Sequence, residues 1–364
     1  MKVNGKNYTS IWLEDNNKIY IIDQRWLPHN FKIVELKTID EFCIAIKDMW
    51  VRGAPLIGVT AAFAFAKSME TDKSDKALVE IKSKLLSTRP TAVNLQWAVK
   101  IMFDLLSNTK EENRVDEAIN KAKNILEEDI NSNYKIGKNG YEIIKKIINK
   151  KKSNSINILT HCNAGWLATV DWGTATAPMY YAKEKGINLH IFVDETRPRN
   201  QGAQLTTWEL FHNDISHNLI VDNAGGHLMQ HKEIDLVIVG SDRTSANGDV
   251  CNKIGTYLKA LSAYDNNIPF YVALPSSTID WNIRDGIKEI PIEERNANEV
   301  NFVQGKDKDS NIIKVDIAPE GTKSRNPAFD VTPSRLVSGL ITEYGVFNAN
   351  YKSLQKLKII SKGQ

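Results

Sequence analysis

Hydrophobic and polar residues follow two different rhythms along the chain, and the change falls near residue 150. Apolar residues alternate with polar ones from Ile11 to Asp23 around the turn residues 15–17, which predicts a β-hairpin. From Ile39 to about Asn149 the spacing of apolar residues becomes helical. We therefore predict an N-terminal domain, residues 1–150, that consists of a small β-hairpin and helices.

Short apolar runs recur in the second half of the chain, with helical or polar segments between them. These runs are Asn157 to Cys162, Asn188 to Val193, Asn218 to Val221, Leu236 to Gly240 and Phe270 to Leu274. Strands that alternate with helices are typical of a parallel sheet covered on both faces, so we predict an α/β domain over residues 151–364. Each run finishes in polar residues, and ligands bind beyond the carboxyl ends of parallel strands. A functional site is expected at that edge of the sheet.

Composition narrows the range of functions. Hydrophobic residues make up 42% of the chain and charged residues 25%, with a net charge of +3, so neither disorder nor nucleic-acid binding is expected. The longest apolar stretch, Gly53 to Ala66, is shorter than the roughly 20 residues of a membrane span and contains Pro55. The three cysteines form no CxxC pair, and no signal-peptide pattern opens the chain. These features predict a cytoplasmic protein without a membrane partner.

Cys162 is the first candidate for chemistry, because it stands at the predicted end of a strand before a turn into the next helix. A helix N-terminus would favour the thiolate form of that side chain. The alternative is a small buried hydrophobic residue. A Cys–His hydrolase pair with His161 is disfavoured, since adjacent residues of a strand point to opposite faces. His161 is instead expected to make structural hydrogen bonds.

Asp242 follows the apolar run that ends at Gly240. A carboxyl group that is partly shielded from water at this position would have a raised pKa and could act as an acid or a base. The alternative is an ion pair with its neighbour Arg243. Asn247-Gly248-Asp249 resembles a helix cap, so a helix is expected from about Val250, with Asn252 and Lys253 in its first turn as a phosphate cradle.

Three further stretches offer groups for an anion. Arg52-Gly53-Ala54-Pro55 places a guanidinium next to a glycine, where the backbone can approach a ligand closely. Thr88-Arg89-Pro90-Thr91 offers a second guanidinium on a turn, and residues 195–202 follow a predicted strand. The chain contains no dinucleotide or phosphate-loop glycine motif and no spacing typical of a metal site. Chemistry on a small anionic substrate, without a cofactor or a metal, is the reading that remains.

These stretches together resemble the methylthioribose-1-phosphate isomerase family. The matching segments run in order through most of the chain: RGAPLIGV at Arg52, STRPTAVNLQWA, THCNAG at Thr160, DETRPRNQGAQLTTWEL, VGSDRTSANGDVCNKIGTY, IPIEER and NPAFDVTP at Asn326. Each segment is weak alone, and their combination is specific. The same superfamily includes regulatory subunits of a translation initiation factor and isomerases that act on other pentose phosphates.

The resemblance implies a helical N-terminal domain, a Rossmann-like C-terminal domain and a homodimer. It implies that Cys162 and Asp242 form the catalytic pair. The substrate contacts that it implies are Arg52, Gly53, Ala54, Arg89, Gln201, Asn252 and Lys253. Bulky Trp166 and Trp172 depart from the family pattern, and either reshape the wall near the C5 substituent or pack in the core.

The implied reaction converts a ring-closed aldose 1-phosphate into a ketose 1-phosphate. Asp242 would donate a proton to open the ring, and Cys162 would act as a base at C2 or stabilise a hydride transfer from C2 to C1. Three alternatives remain at this stage: a 5-deoxyribose 1-phosphate isomerase, a non-catalytic regulatory subunit and a cysteine hydrolase.

Overall fold

A computed structural model describes residues 1–89 and 92–362, with only the backbone of residue 362. Its first part begins with strands β1 (Lys2–Val3) and β2 (Lys6–Asn7) and continues with an antiparallel three-stranded sheet. That sheet contains β3 (Ile11–Glu14), β4 (Lys18–Ile22) and β5 (Ile33–Leu36). The predicted hairpin is therefore confirmed as β3–β4, and the third strand was missed.

Helices follow the small sheet, as the helical spacing predicted. They are α1 (Ile39–Lys47), α2 (Ala54–Met69), α3 (Asp75–Thr88), α4 (Val93–Ser107) and α5 (Arg114–Lys151). Helix α1 begins with a capping box in which Thr38 accepts from the Glu41 amide, and all but two residues of α2 are buried. Because α2 is apolar on every side, it forms the centre of the helical layer. No helix of the described residues is long and apolar enough to cross a membrane.

The second part alternates strands and helices. Its strands are β6 (Ser155–Thr160), β7 (Asn188–Asp194), β8 (Ser216–Ile220), β9 (Leu236–Val239), β10 (Arg243–Ser245), β11 (Val250–Lys253), β12 (Phe270–Ala273), β13 (Ile279–Asp280), β14 (Phe302–Lys306), β15 (Ile312–Asp316), β16 (Phe329–Thr332), β17 (Gly339–Thr342) and β18 (Gly345–Phe347). Its helices are α6 (Ala177–Glu184), α7 (Thr207–His212), α8 (Ala224–Gln230), α9 (Thr256–Asp265), α10 (Gly286–Glu289), α11 (Asn298–Asn301) and α12 (Tyr351–Lys362).

The main sheet has seven strands in the order β18-β17-β12-β9-β6-β7-β8, and all neighbouring pairs except β17–β18 are parallel. Its six parallel strands have the order typical of a Rossmann fold, which confirms the predicted α/β class. Alternate residues enter two different hydrophobic clusters, for example Leu236 and Ile238 on one face and Val237 and Val239 on the other. The division into domains at residue 150 stays a prediction.

The strand order reverses beside β6. After β6 the chain adds β7 and β8 on one side, and it then crosses to the other side of β6 to form β9. The loops after β6 and β9 consequently separate in opposite directions and leave a crevice between them. Cys162 lies in the first of these loops and Asp242 in the second.

The predicted helix from Val250 is wrong. Residues Val250–Lys253 form strand β11 instead, in a small sheet with β10, β13 and β16, and the next helix starts at Thr256. The Asn247-Gly248-Asp249 segment is the turn between β10 and β11. Pairing of β11 with β16, about eighty residues further along the chain, outweighs the local helix signal.

Candidate active site

A cavity at the strand-order reversal brings the predicted residues together. Its lining contains Arg52, Gly53, Ala54, Arg89, Cys162, Gln201, Asp242, Asn252 and Lys253. A larger and more open depression, of about 840 Å³, is lined by Tyr8, Trp12 and Trp172 and contains none of these residues. We place the candidate site in the smaller cavity, because both predicted catalytic residues and all the predicted substrate contacts converge there.

Cys162 is held in an unusual backbone conformation two residues after β6 ends. Its φ is +68°, and its amide donates to Thr196 Oγ1 (2.8 Å) while its carbonyl accepts from Thr206 Oγ1 (2.8 Å). The expectation that Cys162 ends the strand is therefore wrong by two residues. A single 3₁₀ turn, Trp166–Ala168, follows instead of a helix, so no helix terminus stabilises a thiolate there.

The Cys162 side chain is buried, and its thiol donates to Gln201 Oε1 at 3.3 Å. Burial raises the pKa of this thiol, although Arg52 and Lys253 act in the opposite direction. The thiol is therefore the favoured form in the free protein. Gln201 itself immediately precedes a π-helical turn, Gly202–Thr206, a feature often found at functional sites.

His161 has a structural role, as expected. Its Nδ1 bonds Asp194 Oδ2 (2.8 Å), and its Nε2 bonds the Ile254 carbonyl oxygen (2.8 Å), so neither ring nitrogen is left for Cys162. His161, Asp194 and Asp222 lie close enough to hold a metal ion, but the Lys259 ammonium already lies 3.4 Å from Asp194 Oδ2. We interpret this group as a buried charge network, and the absence of a metal in the reaction stays a prediction.

Asp242 lies on the opposite side of the crevice from Cys162, three residues after β9 ends. Burial raises the pKa of its carboxyl group, and the nearby cations Lys253, Arg89 and Arg52 reduce that effect. The alternative ion pair with Arg243 is not observed, because Arg243 pairs with Asp280 at 3.6 Å. A carboxyl group that stays protonated more easily than usual is suited to donate a proton.

Arg52, Arg89 and Lys253 bring positive charge to the cavity. Arg52 donates from Nη1 (3.1 Å) and Nη2 (3.0 Å) to the Asn163 carbonyl oxygen, and Lys253 Nζ donates to the Ala328 carbonyl oxygen at 2.9 Å. Arg89 lies 3.3 Å from Glu293. Among the described residues, the Nε atoms of Arg52 and Arg89 are buried without a hydrogen-bond partner, so both guanidinium groups have donors to spare. Pro90 and Thr91 of the predicted turn lie outside the described residues.

Gly53 allows Arg52 to lie close to the loop after β6, which contains Cys162. Its φ is +92°, and a Cβ atom there would lie 2.4–2.6 Å from backbone and side-chain atoms of Ala168. Only glycine therefore permits the contact between the start of α2 and the loop after β6. On the opposite side of the cavity, Asn252 Nδ2 donates to Thr256 Oγ1 (3.0 Å) and lies in strand β11, not in a helix N-terminus. The amides of Gly255 and Tyr257 donate to the Asp330 carboxylate, so they are not available to a substrate phosphate.

The sequence reasoning missed Met49 and Phe329, which add apolar surface to the cavity lining. Met49 precedes the Arg52 motif and has a φ of +58°, and Phe329 belongs to β16, which pairs with the strand that carries Lys253. Neither had a local signal, since isolated apolar residues occur throughout the chain. Trp166 is fully buried in the core and Trp172 packs against the same cluster, so neither lines this cavity.

Comparison with known proteins gives consistent results. Residues 50–349 match the Initiation factor 2 subunit family. The methylthioribose-1-phosphate isomerase of Brucella anthropi is 60% identical over 359 residues, which cover 98% of this chain and 99% of that protein. The enzyme of the same name from Rhizobium meliloti is also 60% identical, with the same coverage.

Solved structures with the same fold include an isomerase and an initiation-factor subunit. The 5-methylthioribose 1-phosphate isomerase of Pyrococcus horikoshii OT3 has a TM-score of 0.83 and 38% identity, covering 98% of this chain and 97% of that one. Subunit delta of the translation initiation factor eIF-2B from A. fulgidus has a TM-score of 0.80 and 37% identity, covering 96% and 99%.

Proposed function

The chain belongs to the Initiation factor 2 subunit family and is similar over nearly its whole length to methylthioribose-1-phosphate isomerases, and from this premise we propose its reaction. It isomerises 5-methylthio-α-D-ribose 1-phosphate to 5-methylthio-D-ribulose 1-phosphate, a step of methionine salvage, without a cofactor. The observation that carries the proposal is the convergence of Cys162, Asp242 and three cations on one cavity at the strand-order reversal.

The phosphate group is held by Arg52, Arg89 and Lys253 in this proposal. The spare Nε–H donors of both arginines are buried beside the cavity, and a phosphate offers acceptors that a planar guanidinium binds well. Burial lowers the pKa of Arg52 and of Lys253, so an anion that pairs with them relieves an unfavourable concentration of positive charge. Gly53, Ala54, Gln201 and Asn252 line the same space and complete the proposed substrate contacts.

The chemistry begins with ring opening. A phosphate on the anomeric carbon prevents the spontaneous opening of a free hemiacetal, so the ring oxygen must receive a proton as its bond to C1 breaks. Asp242 donates that proton. Hydrogen then moves from C2 to C1, the 2-hydroxyl group loses its proton to the Asp242 carboxylate, and C2 becomes the ketone carbon. The acid form of Asp242 is thereby regenerated.

Cys162 acts at C2 in this scheme. A base would need the thiolate, whereas burial favours the thiol of Cys162. The neutral thiol supports the route in which hydrogen moves as a hydride and Cys162 stabilises the transition state. Apolar residues such as Ala54 and Ala168 line the cavity beside Arg52, Cys162 and Asp242. They keep bulk water from the intermediate.

The apolar surface of Met49 and Phe329 supports a methylthio substituent at C5. We expect kcat/KM to be about tenfold or more higher for 5-methylthioribose 1-phosphate than for 5-deoxyribose 1-phosphate, because one extra apolar group in a pocket contributes a factor of about 10–200. Steady-state kinetics on both compounds measures this ratio. Parity or the opposite preference would instead indicate a 5-deoxyribose 1-phosphate isomerase, and a folded protein that is silent on both would indicate a non-catalytic regulatory subunit.

We also propose a homodimer. Exposed apolar side chains lie at the free edge of the main sheet, where Leu219 and Val221 are 52% and 60% exposed. Helix α9 lies beside them, since its Lys259 bonds the Asp222 carbonyl oxygen, and it adds exposed Leu258 and Tyr264. Surface of this kind is typical of interfaces. Sedimentation equilibrium is expected to give twice the chain mass of 41.0 kDa, and a single-chain mass at micromolar concentration would contradict the proposal.

The proposed location is the cytoplasm. All three cysteines are free, which fits a reducing compartment, and the substrate is an intracellular class of metabolite, a sugar phosphate. Cell fractionation with antibody detection tests this location, and recovery in a membrane or extracellular fraction would refute it.

A further inference from the structure

A buried carboxylate behind the cavity has no part in the proposed chemistry. Glu209 belongs to α7, is fully buried and does not line the cavity. Its Oε1 accepts from Asn163 Nδ2 (2.8 Å) and the Leu167 amide (2.9 Å), and its Oε2 accepts from the Trp166 amide (3.1 Å) and the Tyr180 hydroxyl (3.2 Å). Burying a carboxylate is costly, so an arrangement that supplies four donors to one group calls for an explanation.

The loop after β6 is built around this carboxylate. A Cβ atom on Gly165 would lie 1.7 Å from Glu209 Oε2, so only glycine leaves room for the group. The carboxylate also binds the first two amides of the 3₁₀ turn Trp166–Ala168, and Ala168 is the residue that packs against Gly53. Glu209 therefore fixes the wall on which the Arg52 backbone rests.

A second connection runs through the Asn163 side chain. Asn163 Nδ2 faces Glu209 Oε1 and Thr206 Oγ1, which turns Oδ1 toward Arg52, and Arg52 Nη2 donates to that Oδ1. The acceptor-only character of the carboxylate thus determines which end of the amide meets the guanidinium.

We propose that Glu209 is a positioning residue that orients Arg52 for substrate phosphate through Asn163 and the 3₁₀ turn. The inference rests on the proposed function, because it specifies how the phosphate site of that same cavity is assembled. In Glu209→Gln the side-chain amide keeps one acceptor oxygen, and its NH2 group, placed where Oε1 lies now, would face two of the four donors, Asn163 Nδ2 and the Leu167 amide. Asn163 would then turn its Nδ2 toward Arg52, donor against donor, and the guanidinium would lose its fixed orientation.

The test compares Glu209→Gln with Glu343→Gln. Glu343 is a second shielded carboxylate, and burial raises its pKa. It accepts hydrogen bonds from the Ser276 amide (3.0 Å) and hydroxyl group (2.6 Å), and it does not line the cavity. We expect KM for 5-methylthioribose 1-phosphate to rise about tenfold in Glu209→Gln, with kcat within about threefold, because phosphate binding is shared by ground and transition states. Glu343→Gln should keep the wild-type KM even if its melting temperature falls equally.

A double-mutant cycle separates positioning from general destabilisation. If Glu209 acts through Arg52, the effect of Glu209→Gln on kcat/KM should disappear in an Arg52→Ala background. An unchanged KM in folded Glu209→Gln would overturn the proposal. So would a loss of kcat/KM in the Arg52→Ala background as large as the loss that Glu209→Gln causes alone. If Glu209→Gln does not fold, Asn163→Ala replaces it, and a wild-type KM in that variant would overturn the proposal equally.

Failure of the positioning role can be distinguished from failure of the proposed function. Wild-type turnover is measured first, and its absence on pentose 1-phosphates would count against the proposed function alone. Thermal shift with inorganic phosphate then provides a readout of the Arg52 site without turnover. Weaker phosphate stabilisation of Glu209→Gln than of Glu343→Gln supports the positioning role, and equal stabilisation contradicts it.

Discussion

Asp242→Asn is expected to fold normally and to lose about 10⁴-fold in kcat, the upper end of what general acid–base catalysis contributes. The amide keeps the size of the carboxyl group but can neither donate a proton to the ring oxygen nor accept one from the 2-hydroxyl group. Because both losses fall on one residue in the proposed scheme, the effect should exceed that of any other single substitution at the cavity. Steady-state turnover of 5-methylthioribose 1-phosphate measures it.

Asp280→Asn is the matched control for this substitution. Asp280 pairs with Arg243, the residue next to Asp242, and it does not line the cavity. Its amide variant is expected to stay within about threefold of wild-type kcat, since a partly exposed ion pair contributes roughly 1 kcal/mol or less. Retention of more than a few per cent of activity in Asp242→Asn would rule out the proposed acid role.

The pH dependence follows from the same residue. Burial raises the pKa of Asp242 above its usual value of 3.8, and only the protonated form donates to the ring oxygen, so kcat should fall as pH rises through that raised pKa. The folded state binds this proton more tightly than the unfolded chain does. The contribution of Asp242 to stability is therefore complete below pH 3.8 and is lost as pH rises through the folded pKa. The alkaline decline in rate should be absent from the residual activity of Asp242→Asn.

The pattern of the chain predicted the elements whose signal is local. Strands β6, β7, β9 and β12 were predicted from short apolar runs, and all are present close to the expected bounds. Strand β11 was predicted as a helix, because its conformation depends on pairing with Phe329–Thr332 and not on its own residues. Strands β17 and β18, which end the main sheet on one side, were missed for the same reason.

The sequence indicated the residues of the candidate site more readily than the residues that hold them in place. Polar residues at strand ends located Cys162 and Asp242, since parallel strands bring their carboxyl ends to one edge. Polar residues at the other strand ends have structural roles. Asp222, for instance, accepts hydrogen bonds from the amides of Thr196 and Arg197 and so holds the loop after β7 that contains Gln201. Glu209 lies between apolar Trp208 and Leu210, and a lone acid in such a helix was the one signal that could have identified it.

Cys162→Ser is expected to reduce kcat by about 10³-fold with little change in KM, the loss typical of removing one group that stabilises the transition state. Serine retains a donor for Gln201 Oε1 and the left-handed backbone can persist, because Thr196 and Thr206 hold the main chain and not the side chain. The substitution therefore replaces sulfur by oxygen at C2 and changes little else. Cys251→Ser is the control, since Cys251 is a buried thiol of the adjacent sheet that does not line this cavity.

The two roles open to Cys162 predict different fates for the hydrogen atom on C2 of the substrate. With deuterium at C2 of the substrate, hydride transfer carries the label to C1 of the product and places no solvent hydrogen there. A thiolate base would hold that hydrogen as an exchangeable S–H, so part of the label would be lost to water. We expect full retention, because burial keeps Cys162 in the thiol form that cannot accept the proton. Substantial solvent hydrogen at C1, or near-normal turnover by Cys162→Ser, would contradict a transition-state role for the neutral thiol.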